Sequence, residues 1–356
     1  MDIENYIINV NFLFEERKYD DAIELSRRML EMGMDTIEVN THLGILYRYK
    51  GVYDKAEYHY RKAIALGARQ PKVYWNTSLL LLLLKNFDEG FYFYEAGIAS
   101  GHRTNLHPKI SVWKGQDLTN KSLLVYNEQG LGDTLNFSRA VNFLRLKYPS
   151  ARIDFEVQSA LKVLFPKETW NKKRKYDYAI PLISIFNYEK EAMKEEYAFD
   201  FGFDKNTSDE IKKIGICWKG NPKHFNDKNR SLSIDDVKPL FDLNYEFVSL
   251  VQNTEVDEEK ILREYDIEPL TKKSSIKDTA KIIEELDLII TCDTMIAHLA
   301  ASMKKKTWIM IPTVPDWRWG IETDKSYWYE SVKLFRQSKL DNWSMVIDDV
   351  KGELKC

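Results

Sequence analysis

A 34-residue period in the first part of the chain constrains its fold more than any other feature of the sequence. The segment Lys18–Ala22 (KYDDA) recurs as Val52–Ala56 (VYDKA) and again as Asn86–Gly90 (NFDEG). Two further sets of positions follow the same step, namely Leu30, Ile64 and Ile98, and Gly33, Gly67 and Gly101. A fixed period of this length is typical of stacked repeats, so residues 1–106 should form an array rather than an ordinary core.

The repeated residues indicate a helix–turn–helix unit. The aromatic and small residues of each copy can pack one helix against its mate, and the glycine suits the left-handed end of the second helix. Pro71 stands at the next turn, where a helix cannot continue. A helix–turn–helix unit of this period is the TPR repeat; the alternative is a plain helical bundle. The array predicts a concave docking surface for a partner or an acceptor polypeptide, or a brace for the next domain.

From about residue 107 the sequence alternates between strands and helices. The predicted strands are Ser122–Tyr126, Arg152–Gln158, Lys213–Trp218, Glu246–Val251, Leu286–Cys292 and Thr307–Ile311. The predicted helices are Thr134–Lys147, Asp278–Glu285 and Thr294–Lys304. Such alternation indicates parallel sheets covered on both faces. We therefore expect an α + α/β chain, with two Rossmann-like lobes at residues 107–206 and 207–356.

Composition narrows the class of protein. A net charge of -3 argues against a general binder of nucleic-acid backbones, and three widely spread cysteines exclude a disulfide framework or a cysteine-rich metal site. The acidic start lacks the pattern of a signal peptide, and the longest apolar run, Leu79–Leu84, is far shorter than the ~20 residues that cross a bilayer. We expect a cytoplasmic protein without a transmembrane segment.

Three polar clusters follow predicted strands, at residues 127–133 (NEQGLGD), 218–231 (WKGNPKHFNDKNRS) and 292–298 (CDTMIAH). Ligands of parallel α/β sheets bind beyond the carboxyl ends of the strands. The clusters therefore predict an active site.

In the cluster at 292–298, Asp293-Thr294 opens a helix that continues through Met295. Either of the first two residues can simply cap that helix. The amides of a helix start can equally bind an anion such as a diphosphate. His298 lies one turn further on the same face, where it either serves the packing of the helix or contacts the ligand.

The cluster at 218–231 is rich in hydrogen-bond donors. They are Lys219, Lys223, His224, Lys228 and Arg230, all within twelve residues. A solvated basic loop is one interpretation, but Trp218, Gly220 and Pro222 indicate a specific turn. A cation here could neutralise a leaving phosphate in place of a metal ion.

In the cluster at 127–133, Gly130 and Gly132 would let the backbone approach a ligand. Asp133 either caps the following helix or acts as a general base. Glu128 and Gln129 are candidate contacts for an acceptor.

Other enzyme classes lose support. Leu135 stands where the dinucleotide fingerprint needs its third glycine, although Glu156 could still imitate the ribose-binding acid of an NAD enzyme. The sequence has no Walker A motif, no G-x-S-x-G, no His-Glu-x-x-His and no strand-end Asp-x-Asp. We expect neither a metal ion nor a cofactor.

Five segments, taken together and in order, resemble bacterial TPR-linked glycosyltransferases, relatives of the heptosyltransferases and of O-linked N-acetylglucosamine transferase. They are EQGLGDT (128–134), CWKGNPKHFNDKNRS (217–231), LDLIITCDTMIAHLA (286–300), DWRWG (316–320) and LFRQ (334–337). The chain departs from the family pattern before its last predicted strand, where Lys305-Lys306-Thr307 replaces glycine-lysine-proline, and its first lobe is short.

The resemblance implies a GT-B fold, an inverting mechanism and a nucleotide-sugar donor held mainly by the second lobe. It places Asp133 as the general base and Lys219 near the donor phosphates. It places Thr294, Met295 and His298 in the segment that holds the diphosphate, with Asp293 close to donor groups.

The expected function is therefore metal-independent transfer of a sugar from a nucleotide sugar to a hydroxyl acceptor. A protein docked by the repeats is one candidate acceptor. Arg230 and Lys219 would offset the charge of the leaving diphosphate, and Gly130, Gly132 and Asn221 would line the donor. Glu128, Gln129 and His224 would face the acceptor. The alternative is a TPR adaptor whose transferase-like half only binds or braces.

Overall fold

A computed structural model describes residues 2–165, 174–194, 210–224, 226–271 and 274–355. The chain forms two compact units, each described separately below. The first comprises Met1–Thr104 and Val314–Ile321, and the second comprises Asn105–Thr313 and Glu322–Cys356. The predicted boundary between the two lobes, at residues 206 and 207, lies outside the described residues.

The first unit is an array of antiparallel helices. They are α1 (Ile3–Glu15), α2 (Tyr19–Glu31), α3 (Ile37–Tyr49), α4 (Tyr53–Ala65), α5 (Pro71–Leu83), α6 (Phe87–Tyr94) and α7 (Ala96–Ala99). Helices α1, α3 and α5 begin 34 residues apart, as do α2, α4 and α6, so the helical repeats are confirmed. Gly33, Gly67 and Gly101 end the repeats with φ of 80°, 89° and 79°, in the left-handed region that glycine favours. That these repeats are of the TPR class stays a prediction.

Close packing and ion pairs join successive helices of the array. A Cβ on Gly44 would lie 2.6 Å from the ring of Tyr60, so α3 and α4 approach too closely for a side chain there. Arg61 on α4 donates to both carboxylate oxygens of Glu89 on α6, at 2.9 and 2.7 Å. The first contact packs the two helices of one repeat together, and the second joins that repeat to the next, as a continuous stacked core requires.

A segment from far along the chain completes the first unit. The single turn Trp317–Trp319 contacts α5, and the ring of Trp317 lies edge-on to Phe91 and Tyr94 of α6, at 6.0 and 6.2 Å between centroids. Both tryptophans are buried. The segment predicted as part of the C-terminal lobe, DWRWG, therefore packs with the repeats.

The second unit begins with a parallel three-stranded sheet. Its elements are β1 (Ser122–Tyr126), α8 (Leu131–Phe137), α9 (Arg139–Lys147), β2 (Arg152–Glu156), β3 (Tyr178–Pro181) and α10 (Ile185–Tyr188). The strand order is β2–β1–β3, with Leu123 opposite Ile153 and Tyr178. The predicted single helix Thr134–Lys147 is two helices that meet at Ser138. Strand β3 was not predicted.

A parallel five-stranded sheet follows, in the order β5–β4–β6–β7–β8. Its strands are β4 (Lys213–Cys217), β5 (Glu246–Ser249), β6 (Leu288–Cys292), β7 (Thr307–Ile311) and β8 (Val332–Arg336). Its helices are α11 (Asp227–Arg230), α12 (Ile234–Phe241), α13 (Val256–Glu264), α14 (Ile276–Glu284), α15 (Met295–Ser302) and α16 (Ser344–Leu354). Strands β6 and β7 are buried along their whole length.

Because β4 and β6 are neighbours, with Cys217 opposite Thr291, the clusters that follow them meet at one edge of the sheet. Lys305, at the departure from the family pattern, is buried. It donates to the carbonyl of Glu284, the last residue of α14, and to the carbonyl of Leu286 just beyond. It therefore satisfies the end of a helix. No helix in the described part of the chain is long and apolar enough to span a membrane.

Candidate active site

The loop after β1 carries Asp133 on the first turn of α8. One carboxylate oxygen of Asp133 accepts a hydrogen bond of 2.8 Å from the backbone N–H of Gly130, the residue before the helix. This bond is the one a capping carboxylate makes. The side chain is nevertheless only partly buried. Capping is thus an observed role of Asp133, and it is compatible with a second role as a base.

Gln158, just beyond β2, braces this loop. Its amide nitrogen donates to the carbonyls of Gln129 and Gly130, at 3.0 and 3.3 Å. Its amide oxygen accepts from the hydroxyl of Thr134 at 2.9 Å. The side chain of Gln158 therefore fixes both the loop and the start of α8. Nothing in the sequence indicated this role. The backbone of Gln129 is part of this brace.

Two acidic residues near the same sheet edge hold the lobe together. Glu128 accepts a hydrogen bond of 2.9 Å from the N–H of Ile183, in the turn after β3. Glu156 pairs with His107, with 2.5 Å between the carboxylate and Nε2. The observed contact of Glu128 is thus structural, and Glu156 is engaged by a histidine rather than left for a ribose.

Gly132 brings α8 of the first lobe against α15 of the second. A Cβ on Gly132 would lie only 2.6 Å from Cδ2 of His298. The backbone of Gly132 does not adopt the left-handed conformation that only glycine tolerates easily. The close approach of α15 therefore favours glycine here, and a contact of Gly132 with the donor stays a prediction.

His298 lies in the second turn of α15 and is 5% exposed. Its Nδ1 is 3.1 Å from the hydroxyl of Tyr329, and the two rings are 6.0 Å apart at 51°. The packing interpretation of His298 thus has direct structural support. Its position between Tyr329 and Gly132 also places it where the two lobes meet.

The start of α15 presents backbone rather than a side-chain cap. Thr294 occupies the residue before the helix in an extended conformation, and its hydroxyl caps no helix N–H. That hydroxyl lies 3.4 Å from the hydroxyl of Thr291 and 3.9 Å from Sγ of Cys217. Met295 is the first helical residue and is partly exposed. Helix-start amides that the preceding side chain does not cap suit an anionic ligand.

Arg230 joins the second cluster to the third. Its guanidinium donates to the carbonyl of Asp293 at 2.9 Å and pairs with Asp227 at 3.3 Å. A Cβ on Gly220 would lie 2.9 Å from this guanidinium and 3.1 Å from the methyl group of Thr294. The predicted specific turn therefore exists, and it sets a cation beside the start of α15.

Lys219 is already paired. Its Nζ lies 2.5 Å from the carboxylate of Glu258 on α13, which also accepts from the indole of Trp218 at 3.0 Å and from the N–H of Glu255 at 2.7 Å. Burial raises the pKa of the Glu258 carboxyl, but the hydrogen bonds from Lys219, Glu255 and Trp218 hold it below its usual value. Lys219 and Glu258 therefore form a preset charge pair beyond β4.

Asn221 and His224 lie further out in the same loop, and both are exposed. The side chain of Asn221 accepts from the N–H of Lys223 at 3.0 Å, and Nδ1 of His224 accepts from the N–H of Asn226 at 3.2 Å. These contacts shape the loop itself. Among the residues that the structure describes, no group of three or more His, Cys, Asp or Glu side chains could hold a metal ion.

Arg139 is a buried cation at the site that the sequence analysis missed. It is 3% exposed and lies over the rings of Trp328 and Tyr329, at 5.6 and 5.2 Å from their centroids. It also donates to the carbonyl of Asn136 at 3.0 Å. Within a helix predicted as amphipathic, one arginine among apolar residues gave no signal of this role.

Solved structures similar to the chain are glycosyltransferases of the groups that its motifs resemble. The E. coli heptosyltransferase WaaC, solved with ADP-2-deoxy-2-fluoro heptose, is 11% identical with a TM-score of 0.46, over 66% of this chain and 99% of that one. A family 9 glycosyl transferase of Veillonella parvula is 11% identical with a TM-score of 0.45, over 68% and 91%. An O-GlcNAc transferase of Thermobaculum terrenum is 10% identical with a TM-score of 0.28, over 98% and 89%.

No protein-family model matches the chain, and no curated protein matches it. At such identities and TM-scores, structural likeness does not decide activity.

Proposed function

We propose that the chain is an inverting, metal-independent glycosyltransferase that moves a sugar from a nucleotide-sugar donor to a hydroxyl acceptor. One observation carries the proposal. The start of α8, which carries the carboxylate of Asp133, and the start of α15, which Thr294 does not cap, lie on helices in direct contact through Gly132 and His298. A base and a site for a leaving phosphate are the two groups that such a transfer needs.

The donor diphosphate would bind at the start of α15. The backbone amides after Thr294 are not capped by its side chain, and the guanidinium of Arg230 lies against the carbonyl of Asp293. Helix-start amides and a nearby cation stabilise the negative charge that develops on a departing diphosphate. This arrangement supports departure of the nucleotide without a metal ion.

Lys219 would add charge on the other side of the same sheet edge. Its pairing with Glu258 sets its position before the donor arrives, but it also neutralises part of the cation. The pair would therefore contribute positioning and a partial charge. The guanidinium of Arg230 lies beside the start of α15.

Asp133 would take the proton of the acceptor hydroxyl as it attacks the anomeric carbon. The bond from Gly130 engages one carboxylate oxygen and fixes the orientation of the group, as general-base catalysis requires. The brace of Gln158 on Gly130 adds rigidity to that loop. Residues 127–130, with the exposed His224 on the facing lobe, would border the acceptor.

The helical repeats would dock the acceptor when it is a polypeptide. The alternative function is an adaptor whose transferase-like half only binds. The alternative is favoured by the number of candidate residues that make structural contacts, such as Glu128 and His298. Turnover of a nucleotide sugar would separate the two functions.

A thermal-shift panel of UDP, GDP, CDP, ADP and CMP tests the proposal. A ligand at 100 times its dissociation constant adds ~2.7 kcal/mol of stability. We expect one nucleoside diphosphate to raise the melting temperature of wild type and much less that of Arg230→Ala. Lys260→Ala is the matched control, because Lys260 forms only an exposed ion pair with Asp257 on α13. This variant should respond as wild type does. A panel without any shift would contradict the donor site.

A further inference from the structure

Two buried polar groups beyond the last strands of the five-stranded sheet have no role in the mechanism above. Gln337 ends the segment LFRQ, directly after β8, and is 5% exposed. Thr313 lies two residues after β7, the neighbouring strand, and its hydroxyl is buried. Within the part of the chain that the structure describes, neither Nε2 of Gln337 nor Oγ1 of Thr313 has a hydrogen-bond partner.

The backbone fixes the direction of the Gln337 amide. Its Oε1 accepts a hydrogen bond of 3.1 Å from the N–H of Thr313, and the backbone N–H of Gln337 donates to the carbonyl of Ile311 at 2.8 Å. A backbone N–H can only donate, so the oxygen of the amide must face Thr313 and its NH₂ group must face away. Gln337 therefore offers N–H donors at a fixed position, and the residue it contacts, Thr313, offers a hydroxyl.

Unpaired groups of this kind reduce the stability of a fold. A buried donor without an acceptor has lost its hydrogen bonds to water and has gained none in return. Most buried polar groups in proteins are paired, so two unpaired groups on residues in contact indicate a partner from outside the folded chain. Both groups are uncharged, and together they can donate and accept. The hydroxyl groups of a sugar match this chemistry, since each can accept from the amide and either donate to or accept from the threonine.

The order of the strands places these two groups beside the proposed diphosphate site. Strand β7 lies next to β6, which Thr294 follows, and β8 lies next to β7. Neighbouring strands are ~4.8 Å apart, so the ends of β7 and β8 lie roughly 5 and 10 Å along the sheet edge from the end of β6. Lys219 and Arg230 follow β4, on the other side of β6. The cations proposed for the diphosphate thus lie on one side of β6, and the uncharged pair lies on the other.

We propose that Thr313 and Gln337 bind hydroxyl groups of the donor's sugar and so select which sugar is transferred. This assignment rests on the proposed function and adds the side of the sheet on which the sugar lies. The N–H groups of Gln337 donate to one sugar oxygen, and the hydroxyl of Thr313 pairs with another. A sugar that lacks a matching hydroxyl leaves these buried groups unpaired, which is an effective physical basis for rejecting it.

Calorimetry separates binding of the sugar from binding of the nucleotide. The probes are the nucleoside diphosphate found by the thermal-shift panel and whichever of its glucose, galactose, mannose and N-acetylglucosamine conjugates stabilises wild type most. Thr313→Val removes the hydroxyl and keeps the shape of the side chain. It should weaken the nucleotide sugar about two- to tenfold, the range for one neutral hydrogen bond, and leave the affinity for the nucleoside diphosphate unchanged. Gln337→Glu keeps the oxygen that the N–H of Thr313 needs but loses the NH₂ donors, so it should weaken the nucleotide sugar at least as much. Equal weakening of both ligands, or of neither, would overturn the proposal.

The melting temperature without ligand tests whether the hydroxyl of Thr313 is unpaired in the protein itself. Thr307→Val is the matched control, because it removes a buried hydroxyl at the start of β7 that donates to the carbonyl of Lys305 at 2.8 Å. This control should melt roughly 2–4 °C lower, as the loss of one hydrogen bond does in a domain of this size, and bind both ligands as wild type does. Thr313→Val should melt at or above the wild-type temperature. A decrease as large as that of Thr307→Val would show that the hydroxyl of Thr313 has a structural partner and would refute the assignment. If no nucleotide binds wild type, the donor site itself fails and the sugar assignment with it, whereas the melting temperatures still decide whether the hydroxyl is unpaired.

Discussion

Replacing Gly132 with alanine tests the contact on which the site depends. The new Cβ would lie 2.6 Å from Cδ2 of His298, roughly 1 Å short of the optimal carbon–carbon separation of about 3.5–4.0 Å. His298 is 5% exposed and tethered to Tyr329, so it cannot swing away as a flexible side chain would. Overpacking of this kind costs about 1–3 kcal/mol, and the better helix propensity of alanine recovers at most ~1 kcal/mol.

We therefore expect Gly132→Ala to destabilise the second unit by about 1–2 kcal/mol. For a domain of this size, each kcal/mol shifts the melting temperature by roughly 2–4 °C, which calorimetry resolves. Gly352→Ala is the matched control, because Gly352 is an exposed residue of α16 with no atom within 4 Å of a new Cβ. That variant should gain about 0.5–1 kcal/mol.

A double-mutant cycle isolates the cause. In the background His298→Ala the imidazole is gone, so Gly132→Ala should cost little. If Gly132→Ala is as stable as wild type while Gly352→Ala behaves as expected, the close approach of α8 and α15 is wrong. An equal cost in the two His298 backgrounds would place the strain elsewhere.

Three further predictions concern charge, the repeats and metal. Lys219→Met should destabilise the second unit, because it leaves the partly buried carboxylate of Glu258 without its cation. Adding Glu258→Gln should restore part of the lost stability, as measured by chemical denaturation. Folding lowers the pKa of Glu258, so the ion pair stabilises the fold above the unfolded pKa of about 4.3. This stabilisation is lost as the pH falls through the folded pKa. The loss of unfolding free energy caused by Glu258→Gln should therefore shrink between about pH 7 and pH 3. Deleting residues 1–106 should lower solubility, because Trp317 and Trp319 lose the helices they pack against; a soluble, fully active truncation would refute both the packing and the docking role. Donor binding and turnover should survive EDTA, and a strict requirement for Mg²⁺ or Mn²⁺ would contradict the proposed mechanism.

The sequence predicted the periodic and strongly apolar elements well. Strands β1 and β7 match their predicted bounds, and the glycines of the 34-residue period end helices as expected. Strand β3 could not be predicted because its sequence, YAIP, is short. Periodicity does not distinguish so short an apolar run from a buried helix segment. The break between α8 and α9 at Ser138 could not be predicted, because the two helices share one amphipathic pattern.

The candidate residues were located more accurately than their contacts. Arg230 and Thr294 lie near each other because β4 and β6 are neighbours and the clusters after adjacent parallel strands share one edge. The pairing of Lys219 with Glu258 could not be predicted, because it joins residues 39 positions apart through a helix that no motif marked. The packing of α15 against Gly132 could not be predicted either, because no pattern in the sequence shows which helix lies there.

Turnover in Asp133→Asn tests the central claim most directly. Asparagine keeps the size of the side chain and can still accept the bond from Gly130, but it cannot take a proton at neutral pH. The assay follows release of the nucleoside diphosphate from its sugar, alongside donor affinity and melting temperature. We predict that wild type turns over, and that Asp133→Asn binds the donor equally well but reacts ~10²–10⁴-fold more slowly. A wild type that consumes no nucleotide sugar, or an Asp133→Asn variant that is less stable yet reacts at the wild-type rate, would contradict the account.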